Sequence, residues 1–543
     1  MFTEPVVGKQ FFGRGEILNL LDKRLKAMKD GYRQNVAVTG MSLAGKTSLL
    51  QQFLHTAIDD SFLPVYIEVM KEGFRAFANK FIAALLYNSL KTNQETAPCD
   101  IDSLIRRAEA RLPKTASAVK RVIADVEKGL LDEAYQALLG LTAVVKEETT
   151  KSCVVILDEF DNIASFKVKN PFANFGKVIM IQKDTMYIIS SSRLSAMRKI
   201  LREKLSLLFG NFEVVDVKGF DAATACAFLK ERCEPYSIDE GLIKFLIFFT
   251  GGNPFYMERL IDEVRHMLRE KGGAAIVQDL LEEAIANLVY GSNGTIHQYI
   301  RSLLLDLIDT RSREGLNPIL ESIASGHRRQ RDIAKDLKRC YGDVSKSLAA
   351  LTDMGLVDKN GAFWSISDRM LEFWLVHVAL RQKRMLINCV VDRPRQTLED
   401  IQNYINDFLK ESQKSALERI NELFNLFSGE FVELDDKKLA LPQSDRVEIK
   451  AFDDITPYLA VSSRGKTWIC QMFERPIRES DIAEFIRNIK RLDHKVERKI
   501  LISLRETEEN AKLLAKELKI AIWDLDTINI LLGLYNKKGL VIL

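Results

Sequence analysis

The sequence has little excess charge of either sign, few cysteines and few histidines. Lysine and arginine number 78 and aspartate and glutamate 75, so the formal net charge of the 543-residue chain is +3. A chain this close to neutral is not a polycation that coats nucleic acid along its whole surface, and any DNA contact must come from a local basic patch. With 47% hydrophobic and 28% charged residues, the composition is typical of a globular protein and excludes a disordered or collagen-like chain.

The seven cysteines form no CxxC pair, and none of the six histidines stands at metal-ligand spacing from a cysteine. These patterns argue against a disulfide framework and against a structural zinc site. No apolar run approaches the roughly 18 residues of a membrane-spanning helix. The N-terminus carries Glu4 and lacks a basic start followed by an apolar core. We therefore expect a cytoplasmic protein with reduced thiols, no signal peptide and no membrane partner.

The length predicts three or four domains at about 150 residues each. Apolar runs that alternate with helical patterns predict five buried strands, at residues 34–40, 63–69, 153–160, 186–192 and 212–217. Buried strands separated by helices are typical of a parallel sheet covered on both faces. We assign an α/β core to residues 1–220, with a helical insertion at 91–150, and a helical region to residues 221–310.

A glycine-rich loop of the pattern GxxxxGK[ST] follows the first predicted strand. Its residues are Gly40, Met41, Ser42, Leu43, Ala44, Gly45, Lys46 and Thr47, with Ser48 next in the following helix. Glycines let backbone N–H groups close around phosphate oxygens, and the helix N-terminus adds partial positive charge. In such P-loops the lysine reaches the β- and γ-phosphates and the hydroxyl ligates Mg²⁺. The loop therefore predicts a site for ATP and Mg²⁺.

Two acids, Asp158 and Glu159, end the third predicted strand. Ligand sites of α/β proteins form at the C-terminal ends of parallel strands. We predict that Asp158 holds Mg²⁺ together with Thr47, and that Glu159 polarises the attacking water. An Asp-Glu pair at this position favours ATP hydrolysis over nucleotide binding alone.

Three further motifs resemble those of STAND-type P-loop ATPases, which are relatives of the AAA+ group, and in particular the archaeal-type ATPase family. Phe12-Gly13-Arg14-Gly15-Glu16 resembles the FxGRxxE motif, the strand ending at Ser192-Arg193 resembles the sensor strand, and Gly251-Gly252-Asn253-Pro254 resembles the GxP motif of the helical lid. The resemblance covers roughly residues 8–380.

The resemblance implies roles for particular residues. Arg193 is then the γ-phosphate sensor, Pro254 contacts the adenine, and Phe12, Gly13 and Arg14 line the base side. It also implies that residues 221–310 form a lid and that copies of the chain assemble into a homo-oligomer. Relatives often carry LYGR before the last strand, whereas this chain has LFGN at 208–211, so the source of any arginine finger stays open.

Residues 311–380 have the pattern of a winged helix-turn-helix, with three helices followed by a β-hairpin. The second helix is predicted at 330–337 and the third at 343–354, with Asp343 as its N-cap. Asn360-Gly361 predicts the hairpin turn. A helical connector is predicted at residues 381–427.

This module carries a local basic patch. Arg328, Arg329, Arg331, Lys335, Lys338 and Arg339 outnumber two nearby acids, Asp332 and Asp336. The third helix would offer Ser345 and Lys346 to a major groove. We predict DNA contacts at Arg328, Arg329, Arg331, Ser345 and Lys346. In STAND proteins the same module often serves as an internal latch, so an intramolecular role stays open beside the DNA role.

Residues 428–543 return to a strand–helix pattern that resembles restriction-endonuclease-like domains of the PD-(D/E)xK type, especially the Mrr-like ones. Those domains hold Mg²⁺ with an Asp on the second strand and an (E/Q)xK motif on the third. Asp453 or Asp454 fits the first position, but the third strand reads Gln471-Met472-Phe473, so the lysine is missing.

Two substitutes for the missing lysine stay open. Lys490 on the following helix serves only if the lysine has migrated, and Glu448-Ile449-Lys450, with Asp435 and Asp436 upstream, comes one strand too early. We expect a degenerate domain that contacts DNA or protein, with an active nuclease or an unrelated α/β domain as alternatives.

The leading functional hypothesis is an ATP-driven switch that couples its nucleotide state to DNA or to a partner. An origin-recognition-type initiator shares the order of AAA+ core and winged helix, although the nuclease-like tail argues against it. An ATP-gated, Mg²⁺-dependent nuclease is the third hypothesis. A scaffold that binds ATP without turnover is the fourth, and Glu159 speaks against it.

Overall fold

The computed structural model describes residues 4–91, 100–205, 212–305, 315–381, 393–434, 437–452, 456–463, 465–492 and 496–543. The chain divides into two compact units. The first unit is Met1–Gly219 with Asp353–Gly355, and the second is Phe220–Thr352 with Leu356–Leu543. Each unit contains a five-stranded sheet.

A parallel sheet forms the centre of the first unit. Its strands are β1 (Asn35–Thr39), β2 (Phe62–Glu68), β3 (Ser152–Asp158), β4 (Thr185–Ser191) and β5 (Phe212–Asp216). They lie in the order β2-β3-β4-β1-β5, and all neighbours run parallel. The predicted α/β fold is confirmed, since each predicted strand is present within two residues at either end. The pattern was readable because β1, β3 and β4 are apolar and almost wholly buried.

Successive residues of β1 contribute to two different cores. Val36 and Val38 lie in the core that includes α1 (Gly15–Lys29) and α2 (Lys46–Ala57), whereas Ala37 lies in the core on the other face. Both faces are therefore apolar, and the polar groups of the sheet collect where the strands end. Thr39, Asp158 and Ser191 are the last residues of β1, β3 and β4 at this edge.

Helices cover the second face of the sheet. They are α3 (Phe74–Leu90), α4 (Ile101–Arg111), α5 (Pro113–Glu127), α6 (Leu131–Thr149) and α7 (Pro171–Ile181), followed after β4 by the short α8 (Leu194–Lys199). The helices α4 to α6 lie between α3 and β3, where the sequence predicted a helical insertion. A 3-10 helix, Phe160–Ser165, leaves the end of β3.

The second unit begins with helices. They are α9 (Ala222–Cys233), α10 (Glu240–Thr250), α11 (Pro254–Lys271), α12 (Gln278–Ile285) and α13 (Thr295–Leu305). The prediction of an entirely helical stretch is wrong at two places, where β6 (Ser237–Ile238) and β7 (Ala275–Ile276) pair in parallel. Strands of two residues are too short to leave a periodic signal in the sequence.

Three helices and a hairpin follow in the predicted order. They are α14 (Leu316–Ala324), α15 (Gln330–Asp336), α16 (Tyr341–Asp353), β8 (Val357–Asn360) and β9 (Phe363–Ile366), and α17 (Arg369–Trp374) comes next. The predicted N-cap Asp343 is wrong, since α16 begins two residues earlier and Asp343 lies in its first turn. The hairpin turns at Gly361 and Ala362, one residue later than predicted, because Asn360 still pairs with Phe363.

The C-terminal part holds a mixed sheet. Two helices, α18 (Arg393–Ser412) and α19 (Ala416–Phe424), come first, and an antiparallel hairpin of β10 (Phe431–Leu434) and β11 (Lys437–Ala440) follows them. The strands of the sheet are β12 (Arg446–Phe452), β13 (Thr456–Ser463), β14 (Lys466–Phe473), β15 (Val496–Ser503) and β16 (Ala521–Asp524). The first three run antiparallel and the last three parallel. Helices α20 (Glu479–Lys490), α21 (Glu509–Glu517) and α22 (Leu525–Leu534) complete the domain. Among the described helices, none combines the length and apolar character needed to cross a bilayer.

Candidate nucleotide site

The glycine-rich loop joins β1 to α2, and its backbone geometry requires glycine at two positions. Gly40 has φ +154°, and a Cβ there would lie 2.2 Å from the carbonyl oxygen of Val217. Gly45 has φ +93° and precedes the first residue of α2. The Val217 N–H also donates to Thr39 O at 2.6 Å, which fixes the start of the loop against the segment that follows β5. Side chains other than glycine would push these backbones apart.

Lys46 is buried at the first turn of α2, with 4% of its surface exposed. Its Nζ donates to Gly40 O at 3.1 Å, to Met41 O at 2.9 Å and to Ser192 Oγ at 2.8 Å. Burial lowers the pKa of Lys46, while the nearby carboxylates, Glu159 foremost, oppose that shift. The ammonium group is thus held in the loop by neutral acceptors.

Asp158, at the end of β3, accepts hydrogen bonds from three hydroxyl groups. Thr47 Oγ1 donates to Asp158 Oδ2 at 2.7 Å, and Tyr66 OH donates to the same oxygen at 2.9 Å. Ser190 Oγ donates to Oδ1. With 1% exposure, the carboxylate has a fixed orientation beside Thr47.

Glu159 follows in a left-handed backbone conformation with φ +53°. Ser192 contacts it twice, since its Oγ donates to Oε1 and its N–H donates to Oε2 at 3.4 Å. Burial raises the pKa of Glu159, and Lys46 and the Ser192 hydroxyl pull it back down. A carboxylate whose pKa is raised in this way suits the role of a general base.

Arg193 directly follows the sensor strand and is anchored on the residues after Glu159. Its guanidinium pairs with Asp161 and donates to Asn162 Oδ1 at 3.0 Å. Ser191 Oγ holds the other oxygen of Asp161 at 2.6 Å. About a third of the Arg193 side chain remains exposed, so its tip lies at the rim of the polar edge.

Arg14, one of the residues expected beside the nucleotide base, hydrogen-bonds to the glycine-rich loop. It is the N-cap of α1 with φ +62°, and its guanidinium donates to Ala44 O at 3.3 Å and to Lys218 O. Phe12 and Gly13 precede it in the turn. Ser48, expected beside the nucleotide, accepts a hydrogen bond from the Val6 N–H at 3.0 Å.

Pro254 belongs to the second unit and is the first residue of α11. Asn253 caps this helix by accepting from the Phe255 N–H at 3.0 Å. Gly252 lies so close to the chain at Phe220 that a Cβ would come within 2.3 Å of its carbonyl oxygen. The GGNP motif therefore has a structural basis in the turn between α10 and α11.

The side chains fit a magnesium ion that is bound together with a nucleotide. Thr47 Oγ1 and Asp158 Oδ2 are 2.7 Å apart, and both are the hard oxygen ligands that Mg²⁺ prefers. Among the residues that the structure describes, no three His, Cys, Asp or Glu side chains cluster as a metal site. Mg²⁺ in such ATPases takes one or two protein oxygens and completes its shell with phosphate and water.

The structure uses Arg328 and Arg329 differently from the sequence prediction. Arg328 is 8% exposed, and its guanidinium pairs with Glu372 at 2.6 Å and donates to Asn536. Arg329 pairs with Glu430 and lies over the Phe363 ring. Their assignment as DNA contacts stays a prediction, and in this structure both guanidinium groups bind partners inside the second unit.

The remaining predicted DNA contacts lie at the surface. Ser345 and Lys346 are exposed on α16, and 72% of the Arg331 side chain is accessible on α15, with Asp332 Oδ1 at 3.5 Å from its Nε. These three residues are available to a ligand.

The tip of the hairpin β8–β9 is covered by β10. Ala362 N–H donates to Phe431 O at 2.8 Å, and the Asn360 side chain exchanges two hydrogen bonds of 2.8 Å with the backbone of Glu433. A Cβ on Gly361 would lie 2.1 Å from Phe431 O. The hairpin that a winged helix would present to DNA is bound within the protein.

The nuclease-like positions are only partly visible. Asp453, Asp454, Asp435 and Asp436 lie outside the described residues, as does the LFGN segment at 208–211. Gln471 on β14 is buried, and its Oε1 has no hydrogen-bond partner among the residues that the structure describes. Lys490 is the last residue of α20.

Glu448 and Lys450 lie on the edge strand β12. There Glu448 pairs with Arg446 at 2.5 Å and with Lys450 at 3.2 Å. The literal ExK motif is thus part of a chain of surface ion pairs on one strand.

Four side chains at the nucleotide site were not predicted as site residues: Tyr66, Asp161, Ser190 and Ser192. Asp161 was signalled by the acidic run at 158–161, and the serines by the polar end of an otherwise apolar strand. Tyr66 had no signal, because it alternates with core residues inside an ordinary strand pattern.

Comparison with known proteins gives one family match. Residues 11–260 match the model of an ATPase domain predominantly from Archaea. The matched stretch includes the glycine-rich loop, Asp158, Glu159, Arg193 and Pro254. No curated protein matches the sequence.

Solved structures with some likeness to this chain include a Walker-type ATPase of Pyrococcus abyssi, at 17% identity and TM-score 0.47, covering 69% of this chain and 99% of that one. The ORC2 protein of Aeropyrum pernix gives 14% identity and TM-score 0.43, with 70% and 98% covered. The RuvB branch migration motor of Thermotoga maritima gives 12% identity and TM-score 0.34, with 67% and 96% covered. All three TM-scores are below 0.5. The match of residues 11–260 to an ATPase domain supports ATPase activity.

Proposed function

We propose that this protein is an ATP-hydrolysing molecular switch of the STAND and AAA+ type, which couples its nucleotide state to DNA or to a partner protein. The observation that carries the ATPase part is the convergence of Lys46, Thr47, Asp158 and Glu159 at one polar edge of a parallel sheet. The similarity of residues 11–260 to an ATPase domain supports the same activity.

Each of these side chains has a distinct task in hydrolysis. Lys46 would exchange its loop carbonyls for the β- and γ-phosphate oxygens, and Thr47 and Asp158 would hold Mg²⁺. The metal, when bound, neutralises charge on the phosphates. Glu159 would take a proton from the attacking water, and it is held for this by Ser192. Arg193 at the rim would sense the γ-phosphate, and the base would lie beside Phe12, Gly13 and Arg14.

The test is phosphate release from ATP with Mg²⁺ by the purified chain. Lys46→Ala should abolish ATP binding, because it removes the buried cation of the loop. The matched control is Lys29→Ala, an exposed lysine on α1 that pairs with Asp59 and should leave turnover unchanged. ATP turnover that survives Lys46→Ala would overturn the assignment.

For the ligand that the switch controls, we propose DNA bound through α15 and α16. The support is the exposure of Arg331, Ser345 and Lys346, where the ion pair of Arg331 with Asp332 lies at the surface and can give way to phosphate. The double variant Arg331→Ala/Lys346→Ala should weaken DNA binding and flatten its salt dependence. Lys516→Ala, an exposed lysine on α21, is the control. Unchanged affinity in the double variant would favour the intramolecular latch.

A further inference from the structure

Asp158 is the one carboxylate of the site that must both stay ionised and point at the metal. An ionised carboxylate offers about four lone-pair directions, so its orientation depends on which of them are already occupied. In this protein the Ser190 hydroxyl and the Glu159 N–H occupy Oδ1, the latter at 3.1 Å. The Oδ2 oxygen, which faces Thr47, is bound by Thr47 Oγ1 and by Tyr66 OH.

Tyr66 reaches Asp158 from the neighbouring strand. In the parallel register Tyr66 lies opposite Ile156, two residues before Asp158, and its ring is partly buried against the core under α2. The phenol thus reaches the carboxylate from β2, while Thr47 reaches the same oxygen from α2. The two hydroxyl groups divide the lone pairs of one oxygen between them.

The phenol is also held as a permanent donor. The Tyr66 hydroxyl lies 2.9 Å from Asp158 Oδ2, and because an ionised carboxylate only accepts hydrogen bonds, the phenol is the donor of this pair. The Gln51 side chain, one turn after Thr47 on α2, hydrogen-bonds the same phenol oxygen. Gln51, Tyr66 and Asp158 thus form a chain that runs from the loop helix to the metal-binding carboxylate.

We propose that Tyr66 is a positioning residue for magnesium, which holds Asp158 so that its Oδ2 and the Thr47 hydroxyl face the same metal position. The proposal rests on the proposed ATPase function. Partners that orient a metal ligand typically contribute 10- to 100-fold in metal affinity or activity when they are removed. Tyr66 does not touch the reacting atoms, and its effect should therefore appear in the dependence on Mg²⁺.

The experiment measures the affinity for a non-hydrolysable ATP analogue over a range of Mg²⁺ concentrations, and with EDTA. Tyr66→Phe keeps the ring and removes only the phenol oxygen. We expect the Mg²⁺ concentration for half-maximal nucleotide binding to rise by about 10-fold, while binding in EDTA stays that of wild type. If Tyr66 only packed the core, Tyr66→Phe would lower the nucleotide affinity equally with Mg²⁺ and in EDTA, or would change neither.

Tyr187→Phe is the matched control. Tyr187 lies on β4 of the same sheet, is fully buried, and donates its phenol to Gln182 Oε1 at 2.7 Å, away from the acids. It should leave the Mg²⁺ dependence unchanged. Gln51→Ala provides a second variant, which should raise the Mg²⁺ requirement in the same direction and by less.

The outcomes separate the two proposals. If wild type binds the analogue without any Mg²⁺ effect, the assignment of Thr47 and Asp158 fails. If wild type responds to Mg²⁺ and Tyr66→Phe responds at the same concentration, the positioning role of Tyr66 is overturned while the ATPase proposal stands. Should Tyr66→Phe be unfolded, an unchanged Mg²⁺ dependence in Gln51→Ala overturns the proposal.

Discussion

The glycine-rich loop and the basic patch at residues 328–339 each contain a buried cation, Lys46 and Arg328, yet the two cations have different partners. Lys46 is 4% exposed and donates to two carbonyl oxygens and a serine hydroxyl. Arg328 is 8% exposed and pairs with the carboxylate of Glu372. A hydrogen bond between a charged group and a neutral one contributes about 1.5–3 kcal/mol, whereas removing one partner of a buried ion pair costs about 3–5 kcal/mol.

This difference separates a cation that can change partners from one that cannot. Lys46 can leave its neutral acceptors for phosphate oxygens, because the exchange keeps the number of hydrogen bonds and adds a charge–charge attraction. Arg328 would leave Glu372 without its ion-pair partner if it turned toward DNA. Burial alone therefore does not distinguish a functional cation from a structural one, and the charge of its partners does.

The largest expected effect is a difference in stability between two arginines of the basic patch, the buried Arg328 and the exposed Arg331. Arg328→Ala should lower the free energy of unfolding of the second unit by about 3 kcal/mol, because it leaves Glu372 without its ion-pair partner. Arg331→Ala should change it by less than about 0.5 kcal/mol, since its side chain is exposed. All four tryptophans, Trp364, Trp374, Trp468 and Trp523, lie in the second unit, so urea unfolding followed by tryptophan fluorescence measures both. Equal losses would contradict the distinction.

A smaller effect tests whether β10 holds the hairpin β8–β9 closed. Gly361→Ala places a Cβ 2.1 Å from Phe431 O at a positive φ, and it should lower the free energy of unfolding by more than about 1 kcal/mol. Gly465→Ala is the matched control, since it has a similar positive φ but nothing within 4 Å. The same fluorescence signal reports both variants. If they lose the same stability, the contact with β10 contributes nothing.

The smallest effect concerns pH and sharpens the role of Ser192. Glu159 acts as a base only when ionised, so hydrolysis should fall as pH decreases through its pKa, which burial raises above the ordinary value. The Ser192 hydroxyl lowers the pKa of Glu159, and Ser192→Ala should therefore move the acid limb of kcat/KM to higher pH. Ser89→Ala is the control, since the Ser89 hydroxyl donates to Leu85 O within α3, and it should leave the limb in place. If the acid limb of kcat/KM stays at the wild-type pH in Ser192→Ala, the Ser192 hydroxyl does not influence the pKa of Glu159.

The sequence was sufficient for the parts of the fold that local patterns encode. The five strands of the first sheet and the loop at Gly40 follow from apolar runs and from glycine spacing, and the structure has them. The loop motif also predicted geometry, because GxxxxGK[ST] fixes which groups can face a phosphate. In the structure Lys46 donates to Ser192 and Thr47 donates to Asp158.

Contacts between distant segments were beyond sequence reasoning. Arg329 meets Glu430, and Asn360 meets Glu433, across gaps of 101 and 73 residues. No residue near Arg329 in the sequence indicates that partner. The charge count showed only that basic side chains are neighbours in the chain, and it could not show which acids they contact. Tyr66 was missed for the same reason, since its partner Asp158 lies 92 residues away on the adjacent strand.

The central claim is that Glu159 is the base of an ATPase whose binding groups are Lys46, Thr47 and Asp158. The direct test compares Glu159→Gln with wild type in two assays, ATP binding and phosphate release, both with Mg²⁺. The account predicts that the variant binds ATP like wild type and releases phosphate at least about 100-fold more slowly. Phosphate release at the wild-type rate in Glu159→Gln would contradict it.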